Sequence, residues 1–385
     1  MTILWIYNMP LISEAGGTER ITSLVANGLT ARGHKCMGIL EFKEGSAQMT
    51  HKGEKIEDLY GFLKDNHVDV IINQIAYSIW LLRDFLARGG DRWHREGGRI
   101  ISCLHFDPCN PSYIQLLKSQ ERLSLRDHIN IIKHTVLKPY YQHRKEKEEA
   151  AAYNYIYDNS DVLVILSQRH KPYMAKVMKR RDYDKIIAIN NPLTFHEIAT
   201  EQDLDKKTKT ILVCARMSEY HKRISLILKA WKILQSRNLT NEWELKIIGE
   251  GPDLERYKRI AHDNNLENCM FYGRMDPLPF YREASILLLT SSAEGWGLAL
   301  TEALQNGAVP VVMDSSPAYA DIIDDGYNGY LTPNGNISSF ARHIETLISD
   351  PKRLKTMQRN AIESAQRFTI DKTLDQWESI IRADA

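Results

Sequence analysis

Two glutamates, Glu294 and Glu302, stand eight residues apart in AEGWGLALTEALQNG, a stretch otherwise almost wholly apolar or glycine. Carboxylates placed there can accept hydrogen bonds from a diol, which neutral apolar neighbours cannot. Over eight helical residues two side chains diverge by about 80°, so one helix would not aim both at one ligand. The spacing predicts Glu294 in a loop and Glu302 in the first turn or so of a helix. That helix begins near Leu298 and ends before Gly307. Gly295 and Gly297, on either side of Trp296, free backbone amides to face a ligand. The helix dipole alone mildly favours a carboxylate near a helix start, which is the plain account of Glu302.

Three further groups could carry chemistry. ARMSEYHKR places Arg216 and Lys222 six residues apart on a strand-to-helix loop. Arginine grips phosphate bidentately and lysine adds a compact charge, so the pair suits a pyrophosphate; taken alone, the two read equally as solvent-facing loop charges. EAGGTER, Glu14 to Arg20, opens the first helix, and Gly16 and Gly17 let a ligand approach unpaired helix-start amides. It is not G-x-G-x-x-G, so a dinucleotide fingerprint is absent, and a plain glycine turn reads as well. His105 closes the apolar run ISCLH; it is either a satisfied polar group or, at a strand's carboxyl edge, a substrate contact.

These groups need a frame, and the sequence supplies one twice over. Short Val/Ile/Leu-rich runs at 3–8, 36–40, 68–73, 99–104, 162–166 and 186–189 read as strands of a first domain. Runs at 211–215, 244–248, 269–272, 285–290, 309–313 and 329–331 read as strands of a second. Such runs suit parallel strands buried on both faces. Between them the period changes: Ile21, Leu24, Val25, Gly28 and Leu29 keep helical spacing up to Gly33, as do Ile224, Ile227, Ala230, Trp231 and Leu234. Strand–helix alternation predicts two doubly wound α/β domains, whose ligands bind at the carboxyl ends of strands. NNPL followed by EQDLDKKTK marks the joint near residue 191.

Composition bounds the class. The chain has 385 residues, 43% of them hydrophobic and 26% charged, and a net charge of +1. Length favours two domains, and the charge balance gives no field selecting nucleic acid. Cys36, Cys103, Cys109, Cys214 and Cys269 form no CxxC pair and read as reduced thiols. No basic leader and no spanning apolar run is visible, so a cytoplasmic protein is expected. RHKPYMAKVMKRR, Arg169–Arg181, is strongly basic. It reads first as a solvated face, and second as a peripheral contact with the inner membrane surface or an acidic, lipid-linked acceptor. Asp182–Tyr–Asp184 and Asp203–Leu–Asp205 carry the DxD spacing but lie in polar flanks, so they read as surface and no metal site is expected.

Taken together these residues resemble the nucleotide-sugar-dependent glycosyltransferases of family four. The match is strongest over Tyr272–Pro333, with its E-x7-E pair, its E-G-aromatic-G-L run and a later glycine-rich turn. The resemblance implies a GT-B fold: two Rossmann-like doubly wound domains facing across a cleft, 1–190 plus 370–385 on the acceptor side and 191–369 on the donor side. FTIDKTLDQWESII would be the last helix, crossing back onto the first domain with Phe368, Leu374 and Trp377 as its apolar face.

At matching positions the resemblance implies roles. Arg216 and Lys222 would neutralise the donor diphosphate, and Glu302 would hold the ribose. Glu294, Gly295, Trp296, Gly297 and Leu298 would hold the sugar and phosphates, largely through amides. Gly273, Arg274 and Met275 would border the base through backbone. Gly16 and Gly17 would approach the phosphates, and His105 the sugar. The donor would carry UDP, with GDP the alternative, and the acceptor would be a saccharide or lipid-linked saccharide of cell-surface polysaccharide synthesis. The family is retaining and works without a divalent metal.

Trp296 stands where phenylalanine is commoner, Ala215 where glycine precedes the arginine, and Arg223 where glycine often follows the lysine; NNPL lacks the usual glycine. Two other readings remain open from the residues: a nucleotide-sugar epimerase of the same fold, and a non-catalytic nucleotide-sugar-binding component of a polysaccharide assembly complex.

Overall fold

The computed structural model describes residues 1–8, 16–42, 49–108 and 125–382. The chain divides into two compact units. The first comprises residues 1–108, 139–194 and 368–385, and the second 109–138 and 195–367. The joint therefore falls at Thr194/Phe195, a few residues beyond the expected 190/191. Residues 125–138, which the sequence reading places in the first domain, cluster with the second unit. Periodicity cannot reveal that exchange, because it reports which face of a helix is buried and not against what.

The first unit carries β1 (Thr2–Tyr7), β2 (Lys35–Phe42), β3 (Met49–His51), β4 (Glu54–Ile56), β5 (Val70–Asn73), β6 (Arg99–Leu104), β7 (Val162–Ile165) and β8 (Ile186–Ala188). They form one sheet in the order β4-β3-β2-β1-β5-β6-β7-β8. All pairings are parallel except β2–β3 and β3–β4. Ile3, Leu4 and Ile6 on β1, and Val70, Ile71 and Ile72 on β5, are wholly buried, as central parallel strands require. The β3–β4 hairpin at the sheet edge was not expected: its three-residue strands are too short and polar to carry a period.

The helix Ile370–Arg382 belongs to this first unit and packs on the helix Gly17–Ala31. Leu374 and Trp377 are buried on its apolar face, as the sequence suggested, and Phe368 is buried in the turn just before it. Trp377 meets Trp5 of β1 with ring centroids 6.1 Å apart. Gly28 makes the close approach feasible, since a Cβ there would lie 2.5 Å from Leu374 Cδ1. Arg32 ties the two helices from outside through Asp371, Asp375 and Glu378.

The second unit carries β9 (Thr210–Cys214), β10 (Glu244–Ile248), β11 (Cys269–Gly273), β12 (Ile286–Leu289), β13 (Val309–Asp314) and β14 (Tyr330–Pro333). They form a parallel sheet in the order β11-β10-β9-β12-β13-β14. The helix Ile224–Ser236 buries Ile227, Leu228, Trp231 and Leu234 against it. In both sheets the chain leaves the first strand to one side and returns on the other. The switch points are therefore β1/β5 and β9/β12, where doubly wound sheets open a ligand crevice.

The basic run near residue 175 is partly structural. Met174, Val177 and Met178 of the helix Lys171–Met178 are buried. Arg180 bonds Asp158 and Asn154 and lies 4.4 Å from the Tyr157 ring centroid. Of the DxD acids, Asp203 caps the helix Glu201–Leu204 through Thr200, and Asp205 pairs with Lys355. Among the described residues no helix is long and apolar enough to cross a membrane.

Candidate functional site

In the second unit the candidate groups meet at the β9/β12 switch point. The loop after β9 is held from beneath by the Gly249–Glu250–Gly251 turn. Ala215 N donates to Ile248 O (3.1 Å), Met217 N to Glu250 O (2.9 Å) and Asp253 N to Met217 O (3.0 Å). The turn has no room for side chains: Gly249 has φ +129, and a Cβ there would run into the Ala215 carbonyl oxygen. Arg216 projects from the loop, exposed, its guanidinium without an ion-pair partner among the described residues. The sequence signal for this support was GEGP directly after a strand, which spacing arguments about charged groups passed over.

Lys222 ends the short helix Glu219–Lys222, and its ammonium pairs with Glu294 from the loop after β12; their side chains are 23% and 18% exposed. Ser291 Oγ donates to the same Glu294 oxygen at 2.7 Å, and Ser316 Oγ to the Glu294 carbonyl at 2.8 Å. The local field is positive. The His221 imidazole titrates below its ordinary range, first through burial and then through the Lys222 and Arg216 cations.

Arg223 explains the departure from glycine noted above. It sits at φ +49 and ψ +43, the left-handed region that favours glycine, between the helices Glu219–Lys222 and Ile224–Ser236. Its guanidinium offsets that strain by bonding outward. Nε donates to Thr290 O at 2.7 Å, and Nη2 to Ser291 O at 2.6 Å and Asn334 Oδ1 at 2.8 Å. Thr290 Oγ1 returns a bond to Lys222 O at 2.8 Å, and Ser292 N one to His221 O at 2.7 Å. The two loops carrying Lys222 and Glu294 are thus stitched together by side chains and backbone alike.

Glu302 is the fifth residue of the helix Leu298–Gln305, close to the place expected for it, and is only 5% exposed. Its carboxylate neighbours the buried Tyr281 phenol, whose ionisation is pushed well up, first by burial and then by Cys214 and Glu302. Tyr281 Oη is buried without a hydrogen-bond partner among the described residues, so the phenol lies beside Glu302 without fixing it; nothing in the spacing of FYREA announced it. Trp296 is 2% exposed, so this position offers backbone, not an indole face, to a ligand. Gly297 caps the following helix. Gly273 ends β11, and its carbonyl accepts from Gly249 N at 2.7 Å; Arg274 pairs with Glu250, and Met275 is half exposed.

In the first unit, Glu14 lies outside the described residues. Gly16 and Gly17 open the helix Gly17–Ala31 as expected, but Glu19 of its first turn lies against Gly16. One Glu19 oxygen is 2.5 Å from where a Gly16 Cβ would be, and the other accepts from Tyr7 Oη at 2.9 Å. His105 Nε2 bonds Gln74 Oε1, which also accepts from Thr22 Oγ1 at 3.3 Å. Burial pushes the imidazole down to about 4. A neutral ring donating from Nε2 keeps Nδ1 as an acceptor.

Residues 195–364, less than half of the chain, match the family described as glycosyl transferases group 1. An uncharacterized glycosyltransferase of Haemophilus influenzae is 29% identical over 224 residues, 57% of this chain and 61% of that protein. The chain thus spans under two thirds of that relative's length. The amylovoran biosynthesis glycosyltransferase AmsD of Erwinia amylovora is 22% identical over 379 residues, covering 96% of this chain and 97% of that one. Among solved structures, Anabaena HepE in complex with UDP superposes with a TM-score of 0.68 at 16% identity, over 99% of each chain. The likeness shows the fold, which is GT-B: two α/β units, each built on a largely parallel sheet.

Proposed function

We propose that this chain is a retaining, metal-independent glycosyltransferase. It moves a sugar from a nucleoside-diphosphate sugar, UDP expected and GDP the alternative, to a saccharide or lipid-linked saccharide in cell-surface polysaccharide synthesis. The observation that carries the reading is the meeting of Arg216, Lys222 and Glu294 at the β9/β12 switch point, on loops clamped to each other. The group 1 match over the same unit, the amylovoran relative and the UDP complex of HepE point the same way.

Breaking the bond between the anomeric carbon and phosphate leaves a nucleoside diphosphate with added negative charge. Arg216 accepts that charge bidentately and Lys222 as a point charge, beside the amides of Gly295–Leu298 where a helix begins. In this reading the two cations do the work a divalent ion does elsewhere. Ser291 and Lys222 share one Glu294 oxygen, which leaves the other to accept from a sugar hydroxyl. The acceptor hydroxyl bonds the anomeric carbon on the departing face, and its proton passes to the leaving phosphate. Glu302 holds the ribose.

The test is donor turnover and UDP binding in Arg216→Ala and Lys222→Ala, each checked for native circular dichroism. Each should lose about 10²–10³ in turnover, the usual cost of one preorganised charge-stabilising group. EDTA should leave wild-type turnover unchanged, and the product anomer, read by NMR, should match the donor's. Full turnover by Lys222→Ala refutes the assignment.

A further inference from the structure

The helix that carries Glu302 runs only from Leu298 to Gln305, about two turns. A helix that short does not hold itself, so its place is set from outside. Its first end offers no anchor: Gly297 at φ +93 stands as N-cap, and no side chain bonds the first amides. The anchoring falls to the last residue. Gln305 is wholly buried. Its Nε2 donates to Phe195 O at 2.6 Å and to Glu197 O at 3.0 Å, and its Oε1 accepts from Phe195 N at 3.3 Å. Its backbone carbonyl accepts from Ala199 N at 2.8 Å. One residue thus fastens the helix to 195–199, a stretch of the second unit with no helix or strand of its own.

Both amide hydrogens and an oxygen lone pair of the side chain are in use, which fixes the amide in one orientation. Gln305 stands three residues after Glu302, so the two side chains leave the helix about 60° apart. A rotation of the helix that breaks the Gln305 bonds therefore swings Glu302 with it. Asn306 Nδ2 donates to Glu302 O at 2.9 Å, which ties the Glu302 backbone to the same end. Phe195, the residue that Gln305 grips, also packs on Tyr281 with ring centroids 5.8 Å apart, and Tyr281 lies beside Glu302. We propose that Gln305 is a positioning residue for Glu302: its grip on Phe195 and Glu197 sets the rotation of the short helix and so the aim of the carboxylate. The inference rests on the ribose role given to Glu302 above. It makes the preference for a ribose diol depend on a buried amide that acts through another residue.

The test is calorimetric titration of the full chain with UDP and with its 2′,3′-dideoxy analogue, which lacks the hydroxyls that Glu302 would hold. The same pair built on guanosine serves if wild type binds GDP instead. Wild type should prefer the ribose form by about tenfold or more, as expected for hydrogen bonds to a charged acceptor. Gln305→Met keeps the buried volume and drops the three side-chain bonds. Its preference should fall to about twofold, with affinity for the dideoxy form nearly unchanged. Gln305→Asn, too short to reach both carbonyls, should behave alike, and it decides the matter if the methionine variant does not unfold cooperatively. Leu347→Ala, which opens a cavity in the core of the same unit, should lower the melting temperature and keep the preference. A preference retained in the Gln305 variants, or an equal loss of affinity for both forms, overturns the inference and leaves the ribose role of Glu302 standing. Wild type that binds neither nucleotide, or binds without preference, removes that role and the inference with it.

Discussion

Replacing Arg223 separates two opposed contributions at one position. The left-handed backbone there costs a non-glycine residue about 1–2 kcal/mol. Against this, the guanidinium makes short bonds to the carbonyls of Thr290 and Ser291, both in residues 1% exposed. Hydrogen bonds to a charged group are each worth about 1.5–3 kcal/mol net. Arg223→Ala keeps the strain and loses the clamp, so a destabilisation of about 3 kcal/mol is expected. Arg223→Gly loses the clamp but relieves the strain, and should be milder by about 1 kcal/mol. The order glycine above alanine is the reverse of that at an ordinary helical position. Urea unfolding followed by tryptophan fluorescence measures both variants. The clamp also holds the loop of Glu294 to that of Lys222, so donor KM should rise in both. Arg223→Ala as stable as wild type, or more stable than Arg223→Gly, refutes the reasoning.

Two other outcomes follow from the same geometry. Gly249→Ala adds a Cβ at φ +129 into the Ala215 carbonyl. Strain and overpacking together should cost about 3 kcal/mol or more and lower the melting temperature, with UDP affinity falling as the Arg216 loop shifts. His105 titrates at about 4 when folded against an ordinary 6.5. Between those values the unfolded chain binds a proton that the folded chain does not, so His105 lowers stability as pH falls from 6.5 towards 4 and has no such effect above. Melting temperatures at pH 7.5 and 5 should show wild type losing more than His105→Gln; equal losses refute the assignment.

Much of the frame was legible because buried parallel strands announce themselves: Arg99–Leu104 and Glu244–Ile248 were read to the residue. That Arg216, Lys222 and Glu294 gather at the ends of β9 and β12 was legible because the strands before them were. What escaped was the support. Gly249–Gly251 acts through the absence of a side chain, and Arg223 through a backbone angle, and neither leaves a periodic trace. Tyr281 comes beside Glu302 from the helix Pro277–Glu283 on the other side of β12, and Glu19 lies over Gly16 only because of a side-chain rotamer. The helix Leu125–Val136 clusters with the second unit, which its local pattern could not announce because periodicity does not say which unit a helix joins.

The docking of Ile370–Arg382 on the helix Gly17–Ala31 has a consequence for biosynthesis. Arg32 and Asp375 are partners across 343 residues of sequence. On the ribosome, β1 and its helix emerge before the second unit, so Trp5 and Gly28 wait for Trp377 and Leu374 until residues 195–367 have been translated. The second unit, apart from 109–138, is contiguous from 195 to 367 and can close while the first is still missing a face. Until the helix Ile370–Arg382 is made, the first unit keeps an apolar flank at Trp5 and Gly28 uncovered, the kind of surface a chaperone shields.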